Sequence, residues 1–456
     1  MHIWMDVMRE LELVLDDYPS IFDAWEEGGV TGLVVGPLSF EAARLLPISG
    51  TRYVEGAMPP TTVYDPDPAV YQRFGVKAPP APTNKLPERR QALERMLINA
   101  KDRGWTVLIF QAGTGAGPGG SGPLITDPLS QAAMTARMVD TLAHFPMVDG
   151  AVMDGPEWGY EIDESFYNRR SLIFDNLPPE VAPSCRALGY DYDALVAAKD
   201  RLYQRLHALT PQRVASAAAG GMFGMPALLG HDRDFEDWCS YRIDSLTHFY
   251  RVVREGIASE LPKAIVGCGP RTASFAPLCG YDMTRLAEFM DILLPKHYFW
   301  HRGFDGLIGT VGRYVGVLTS WNPSLSDAEA FDVVESLFGL RLPGVSKRED
   351  LESALTADFM EVVVKRETRM ALAAVDDPAR IVPWMDAGRM PHDGDPITPG
   401  MLSQILTAAS EVGLQHCLYH HAGNLTAGEW AVISAMCGQP WDERSSPYTP
   451  ADQMVL

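Results

Sequence analysis

The segment Val148-Asp-Gly-Ala-Val-Met-Asp154-Gly-Pro-Glu157-Trp158-Gly-Tyr160 sets two carboxylates and two aromatic rings directly after an apolar run. Ala151, Val152 and Met153 read as a buried strand, and Gly155 with Pro156 ends it. Asp154 and Glu157 then stand at the strand's carboxyl end. A carboxyl beside Trp158 and Pro156 has its charged form disfavoured, which suits a proton donor. The local reading is that these acids cap the next helix or pair with Arg169 and Arg170. A second run, Ile381-Val-Pro-Trp384-Met-Asp386, also leads a strand into a carboxylate. Cleaving a glycosidic bond takes two such groups, one carrying a proton for the leaving oxygen and one ionised to attack carbon or activate water. Glu157 fits the first role and Asp386 the second, kept ionised by Lys296, His297 or Arg389. The local reading of Asp386 is a helix cap or a salt bridge with Arg389.

Groups so far apart in sequence need a scaffold that brings strand ends together. Apolar runs closed by polar residues recur at His2–Met5, Gly32–Val35, Trp105–Phe110, Gly150–Met153, Ala264–Gly267, Ile292–Pro295, Arg380–Trp384 and His416–Tyr419. Segments of helical period separate them. In Asp237–Leu261, Ile243, Leu246, Tyr250, Val253 and Ile257 form one apolar stripe. Further helices are expected at Leu86–Arg103, Leu129–Phe145, Tyr192–Leu209, Ala328–Phe338 and Met360–Val375. Eight strands alternating with helices predict an α/β fold, a (β/α)8 barrel formed by residues 1–456 as one domain, with active residues at the carboxyl ends of the strands. Long connections follow the second strand, Met58–Pro87, and the fourth, where residues 158–230 are expected as an insertion over that end of the barrel. The run Gly113–Gly122 lacks the Gly-Lys-Ser/Thr ending of a phosphate loop and reads as a loop over the cleft.

If the runs are barrel strands, the residues just after them share one funnel. Asp6, Gln111, Arg271, Lys296, His297, Tyr298, His420 and His421 join Asp154, Glu157 and Asp386 there. Trp158, Trp300 and Trp384 lie among them, and indole faces stack on sugar rings whose hydroxyls need many hydrogen-bonding partners. Each tryptophan reads equally well as core.

Bulk properties narrow the partners. With 456 residues and 46% hydrophobic content the chain can bury a large core. A net charge of −21 opposes binding to nucleic acid or anionic lipid and favours a neutral or cationic substrate. Six scattered cysteines show neither zinc spacing nor a disulfide framework and read as reduced thiols. No apolar run is long enough to span a bilayer, and Met1-His-Ile-Trp-Met-Asp6 does not resemble a signal peptide, so the expected location is cytoplasmic, compatible with a removed leader. No cofactor or metal is called for, and the oligomeric state is open.

Asp-Gly-Pro-Glu-Trp at strand four, the segment Trp238-Cys-Ser-Tyr-Arg242-Ile-Asp-Ser-Leu-Thr247, the run Leu293-Leu-Pro-Lys-His-Tyr298 and the closing strands together resemble the glycosyl-hydrolase-like (β/α)8 barrels, similar to clan A glycosidases. The resemblance spans nearly the whole chain and rests on order and spacing. It implies an acid/base carboxylate after strand four, here Glu157, and a second after strand seven, here Asp386. The family pattern has Asn-Glu where this chain has Pro156-Glu157, and glutamate where it has Asp386. A shorter aspartate favours the gap of about 6.5–9.5 Å of an inverting enzyme. The series Asp149, Asp154, Glu157 with Tyr298 is also similar to the chitinase pattern, in which Asp154 would be essential and Asp386 dispensable. Two other classes stay in view. One is a metal-dependent barrel hydrolase or isomerase using Asp6, Glu157, His297, Asp386 and His420, which lacks the His-x-His opening of amidohydrolases. The other is an inactive barrel that binds carbohydrate.

Overall fold

A computed structural model of the chain describes residues 1–7, 11–36, 38, 63–82, 87–112, 125–165, 172–175, 177–300, 306–386, 397–420, 422, 425–444, 446, 448 and 450. Eight strands follow the chain: β1 (His2–Val7), β2 (Val30–Val35), β3 (Thr106–Ala112), β4 (Gly150–Asp154), β5 (Ile265–Cys268), β6 (Ile292–Leu293), β7 (Trp384–Asp386) and β8 (His416–His420). All pair in parallel, in the order β6-β5-β4-β3-β2-β1-β8-β7. Single bridges Leu293↔Ile381 and Lys296↔Trp384 join the two outer strands and close the barrel. The closing strands are the shortest because Pro295 and Pro383 carry no N–H for the ladder. The seventh strand was expected from Arg380. Arg380 instead ends a short 3-10 turn, and its guanidinium donates to the carbonyls of Met290 (2.8 Å) and Asp291 (3.1 Å).

Alternation along each strand sorts the side chains into two cores. Trp4, Val34, Leu108, Phe110, Val152 and Leu418 fill the barrel interior, together with Leu294, Tyr298, Val382 and Trp384. Their strand neighbours, among them Ile3, Met5, Leu33, Val107, Met153 and Cys417, face the helices in one cluster that extends from Ile3 to Ile433. The interior is therefore packed, and chemistry is left to its ends.

The helices close the outer layer. Asp127 caps Pro128–His144, Asp232 caps Arg233–Glu260, and Ser326 with Glu329 forms a capping box at Asp327–Phe338. Near Met360–Val375 the single helix expected from periodicity is in three pieces, Ala357–Phe359, a π-helical turn at Met360–Val364, and Lys365–Leu372. Helices Leu11–Glu27, Pro87–Asp102, Met283–Ala287, Leu307–Trp321, Pro399–Glu411 and Ala427–Met436 complete the barrel's ring.

Among its described residues the insertion of residues 158–230 contributes four α-helices, the longest Tyr192–Leu206. Tyr192–Leu206 packs on Arg233–Glu260, and Pro211–Ala219 and Gly224–Leu229 pack on Asp327–Phe338. Asn322, just past the C-terminal end of Leu307–Trp321, accepts from Leu209 N–H (2.9 Å) and donates to the Leu206 carbonyl (2.8 Å), while Trp321 stacks on His207 with ring centres 3.8 Å apart. All six cysteines are free thiols. Among the described residues no helix is long and apolar enough to cross a membrane.

Candidate active site

β4 delivers Asp154 to the carboxyl-terminal rim, and Gly155, with φ 66°, turns the chain as only glycine readily does. The following loop is fastened along its length. The hydroxyls of Tyr250 and Tyr281 both donate to the Pro156 carbonyl (3.4 Å each), and Trp158 N–H donates to the Cys279 carbonyl (3.0 Å). Arg242 donates to the Gly159 carbonyl, Tyr314 to the Tyr160 carbonyl, and Arg313 to the fully buried Glu161 (2.6 Å). Burial pushes the Tyr250 and Tyr281 hydroxyls well above their usual range, so both remain donors. Glu157 is thereby held on a fixed backbone.

Two ion pairs define the rim. Lys296 Nζ lies 3.0 Å from Asp154 Oδ1, and Arg271 meets Glu157 with a fork, Nε to Oε2 at 2.8 Å and Nη2 to Oε1. Both cations are buried, whereas Asp154 keeps 27% and Glu157 15% of its side chain exposed. Arg271 also stacks on the Tyr160 ring, 4.9 Å from its centre. Donation of a proton by Glu157 requires the Arg271 fork to release one oxygen. Burial, with Arg271 next, lowers the Lys296 ammonium from its ordinary range.

Across the mouth, His420 at the end of β8 shares a hydrogen bond with the fully buried Asp6 of β1, Nδ1 to Oδ2 at 2.5 Å. Tyr298 stacks on the His420 ring with centres 5.7 Å apart and planes at 13°. Asp386 ends β7 in register with His420; its side chain, like His421, lies outside the described residues. Trp384 crosses the interior beneath these groups, and Gly269 makes room for it. A Cβ at Gly269 would overlap the Trp384 ring and come within 3.1 Å of Asp154 Oδ1. Gly269→Ala is expected to destabilise the protein by about 1–3 kcal/mol through overpacking. In urea unfolding, Trp384→Phe on top of Gly269→Ala should recover part of that loss; an unchanged midpoint for Gly269→Ala would show that the ring is not held there.

Other expected rim residues sit elsewhere. Gln111 belongs to the outward register of β3 and donates to Thr141 Oγ1 (3.0 Å) on the helix behind it. Trp158 is completely buried, its indole N–H donating to the Arg242 carbonyl (3.0 Å) and Ser245 Oγ (3.1 Å), so it anchors the loop from below. His297 follows the inward-facing Lys296 and turns outward against Phe299, with ring centres 5.0 Å apart; burial lowers it to about 3 and keeps it neutral. Trp300 joins the outer cluster. Asp149 sits at the opposite end of β4, about 16 Å of strand from Asp154. It binds Lys101 (2.7 Å) and accepts from Val107 N–H (2.7 Å), so the chitinase-like acidic series does not assemble. Among the described residues no three His, Cys, Asp or Glu side chains gather as metal ligands. The spacer Gly269 was missed; the inward pair Gly267 and Gly269, two residues apart at the end of β5, was its sequence signal.

No sequence-family profile matches the chain, and no curated protein matches it. Solved structures do show similarity at low identity. One is a β-galactosidase from the Antarctic haloarchaeon Halorubrum lacusprofundi, 12% identical over 96% of this chain and 58% of that one, with a TM-score of 0.47. A chitinase from Chromobacterium violaceum is 9% identical over 95% of this chain and 98% of its own, TM-score 0.41. The catalytic domain of a β-amylase from Paenibacillus polymyxa is 9% identical over 97% and 96%, TM-score 0.42. These three similar structures are glycoside hydrolases. Scores this low leave the assignment of the barrel to the chain's own strand order and closure, and the chain spans little more than half the length of the first of them.

Proposed function

We propose that the chain hydrolyses a glycosidic bond at the carboxyl-terminal mouth of its barrel, with Glu157 as general acid and Asp386 as nucleophile or general base. The observation that carries this reading is the pair of partly exposed carboxylates, Asp154 and Glu157, each fixed by a buried cation at the mouth, with the β7 end that bears Asp386 across from them. Two rigidly placed acids on one side and a third strand end on the other meet the minimum for acid-assisted displacement at an anomeric carbon. Asp6, hydrogen-bonded to His420, and Tyr298, stacked on that imidazole, form the buried floor of the same mouth. No metal is needed for such a reaction. The substrate is a neutral oligosaccharide or glycoside, since each rim cation is already matched by a carboxylate.

A second assignment has its own support. The Arg271 fork occupies both oxygens of Glu157, while Asp154 has one contact to Lys296 and the greater exposure. In that version Asp154 carries the proton and Glu157 is an anchor.

The test is hydrolysis of a panel of aryl glycosides and oligosaccharides by the purified chain. Turnover is expected on at least one, and Asp386→Asn is expected to remove it by about 10²–10⁴-fold. Azide should restore part of the lost rate with release of a glycosyl azide, whose anomeric form reports the geometry of attack. Binding of glycans without product from any substrate would replace the hydrolase with a carbohydrate-binding barrel.

A further inference from the structure

Lys296 is a buried amine that glycoside hydrolysis needs only as a charge that holds its carboxylate neighbours, not as a reacting group. Its backbone is pinned on both sides: its N–H donates to the Pro270 carbonyl (3.0 Å), and its own carbonyl accepts from Thr272 Oγ1 (2.6 Å). The bridge to Trp384 sets it in the closing seam of the barrel, facing the mouth. Its side chain is 5% exposed, and its Nζ lies 3.0 Å from the more open Asp154. A second buried cation, Arg271, lies close enough to oppose its charge, and with burial it outweighs the pull of Asp154 and Glu157 the other way. Of two cations crowded in one buried site, the guanidinium keeps its proton and the ammonium is the one that yields. A lysine desolvated and set beside another cation is an activated nucleophile toward carbonyl carbon.

We propose that Lys296 is an imine-forming amine, condensing reversibly with an uncharged aldehyde such as the open-chain form of a reducing sugar. The ammonium passes one proton to Asp154, and the freed Nζ lone pair forms the C–N bond as the carbonyl π bond breaks. The attached nitrogen passes one proton to the carbonyl oxygen, giving a neutral carbinolamine. The one proton held by Asp154 then carries that oxygen away as water, and Nζ loses its last proton to solvent as the neutral C=N bond forms. One amine and one aldehyde give one imine and one water, with no redox partner. An uncharged carbonyl fits because the pairs Lys296–Asp154 and Arg271–Glu157 cancel each other's charge. The proposal takes Asp154 as ionised at rest, as it is when Glu157 is the general acid, and does not otherwise depend on glycoside cleavage.

The experiment uses the intact folded chain with glycolaldehyde and sodium cyanoborohydride, which reduces an imine to a stable secondary amine, followed by proteolysis and mass spectrometry. At neutral pH Lys296 is expected to be alkylated severalfold faster than the exposed Lys263 and Lys347, since burial and Arg271 raise the neutral fraction of its amine. Its labelling should also level off at a lower pH than theirs. Circular dichroism recorded through the reaction shows that the protein reacting is folded. Labelled Lys263 and Lys347 with an unmodified Lys296 overturns the proposal, as does a Lys296 whose labelling follows the same pH curve as the exposed lysines.

Discussion

Glu157→Gln is expected to lower turnover on a glycoside with a poor leaving group by about 10²–10⁴-fold, the range for loss of a positioned general acid. The amide keeps the size of the side chain and one acceptor for Arg271, but it has no proton to deliver to a departing alkoxide. On an aryl glycoside whose phenolate leaves unaided the loss should be much smaller. That contrast separates a lost proton donor from a disturbed fold, which would depress both substrates alike. Asp154→Asn provides the comparison. If Asp154→Asn shows the leaving-group dependence and Glu157→Gln retains nearly full activity, the proton resides on Asp154 and the forked Glu157 is a structural anchor.

Arg271→Met should cost about 3–5 kcal/mol of stability, the penalty for removing one partner of a buried ion pair. Arg271 is 3% exposed and Glu157 15%, so the abandoned carboxylate gains little solvent in return. The guanidinium's place over Tyr160 is lost as well. Arg271→Lys should recover only part, because an ammonium cannot reproduce the two parallel bonds of the fork. Urea denaturation measures both variants. A shift below about 1 kcal/mol for Arg271→Met would mean that the pair behaves as a solvated surface bridge and does not fix Glu157.

Much of the scaffold is legible in the sequence, and the exceptions have local causes. Val107–Ile109 and Ala151–Met153 read as strands because β-branched and apolar residues fill both faces of a parallel ladder. The sixth and seventh strands are harder to place, because Pro295 and Pro383 sit inside the apolar runs while the backbone pairing shifts around them. The helix at Met360–Val375 is visible as a period, yet its π-helical turn leaves no mark in the residue pattern.

At the site, the chain's own order determined that carboxylates follow the fourth and seventh strands, and that lysine, tyrosine and histidine follow the sixth and eighth. Composition and spacing are enough for that, since the period of a strand and the breaks at glycine and proline are local properties. Which of those side chains face one another was decided by tertiary structure alone. Trp158 and Gln111 sit beside the rim in sequence but pack outward, because strand register and the tethers of the loop set their direction. Asp154 found Lys296, Glu157 found Arg271 and Asp6 found His420 across gaps of more than a hundred residues in all three cases. Such pairings depend on barrel closure and on burial removing water from between the charges, and no local pattern encodes either.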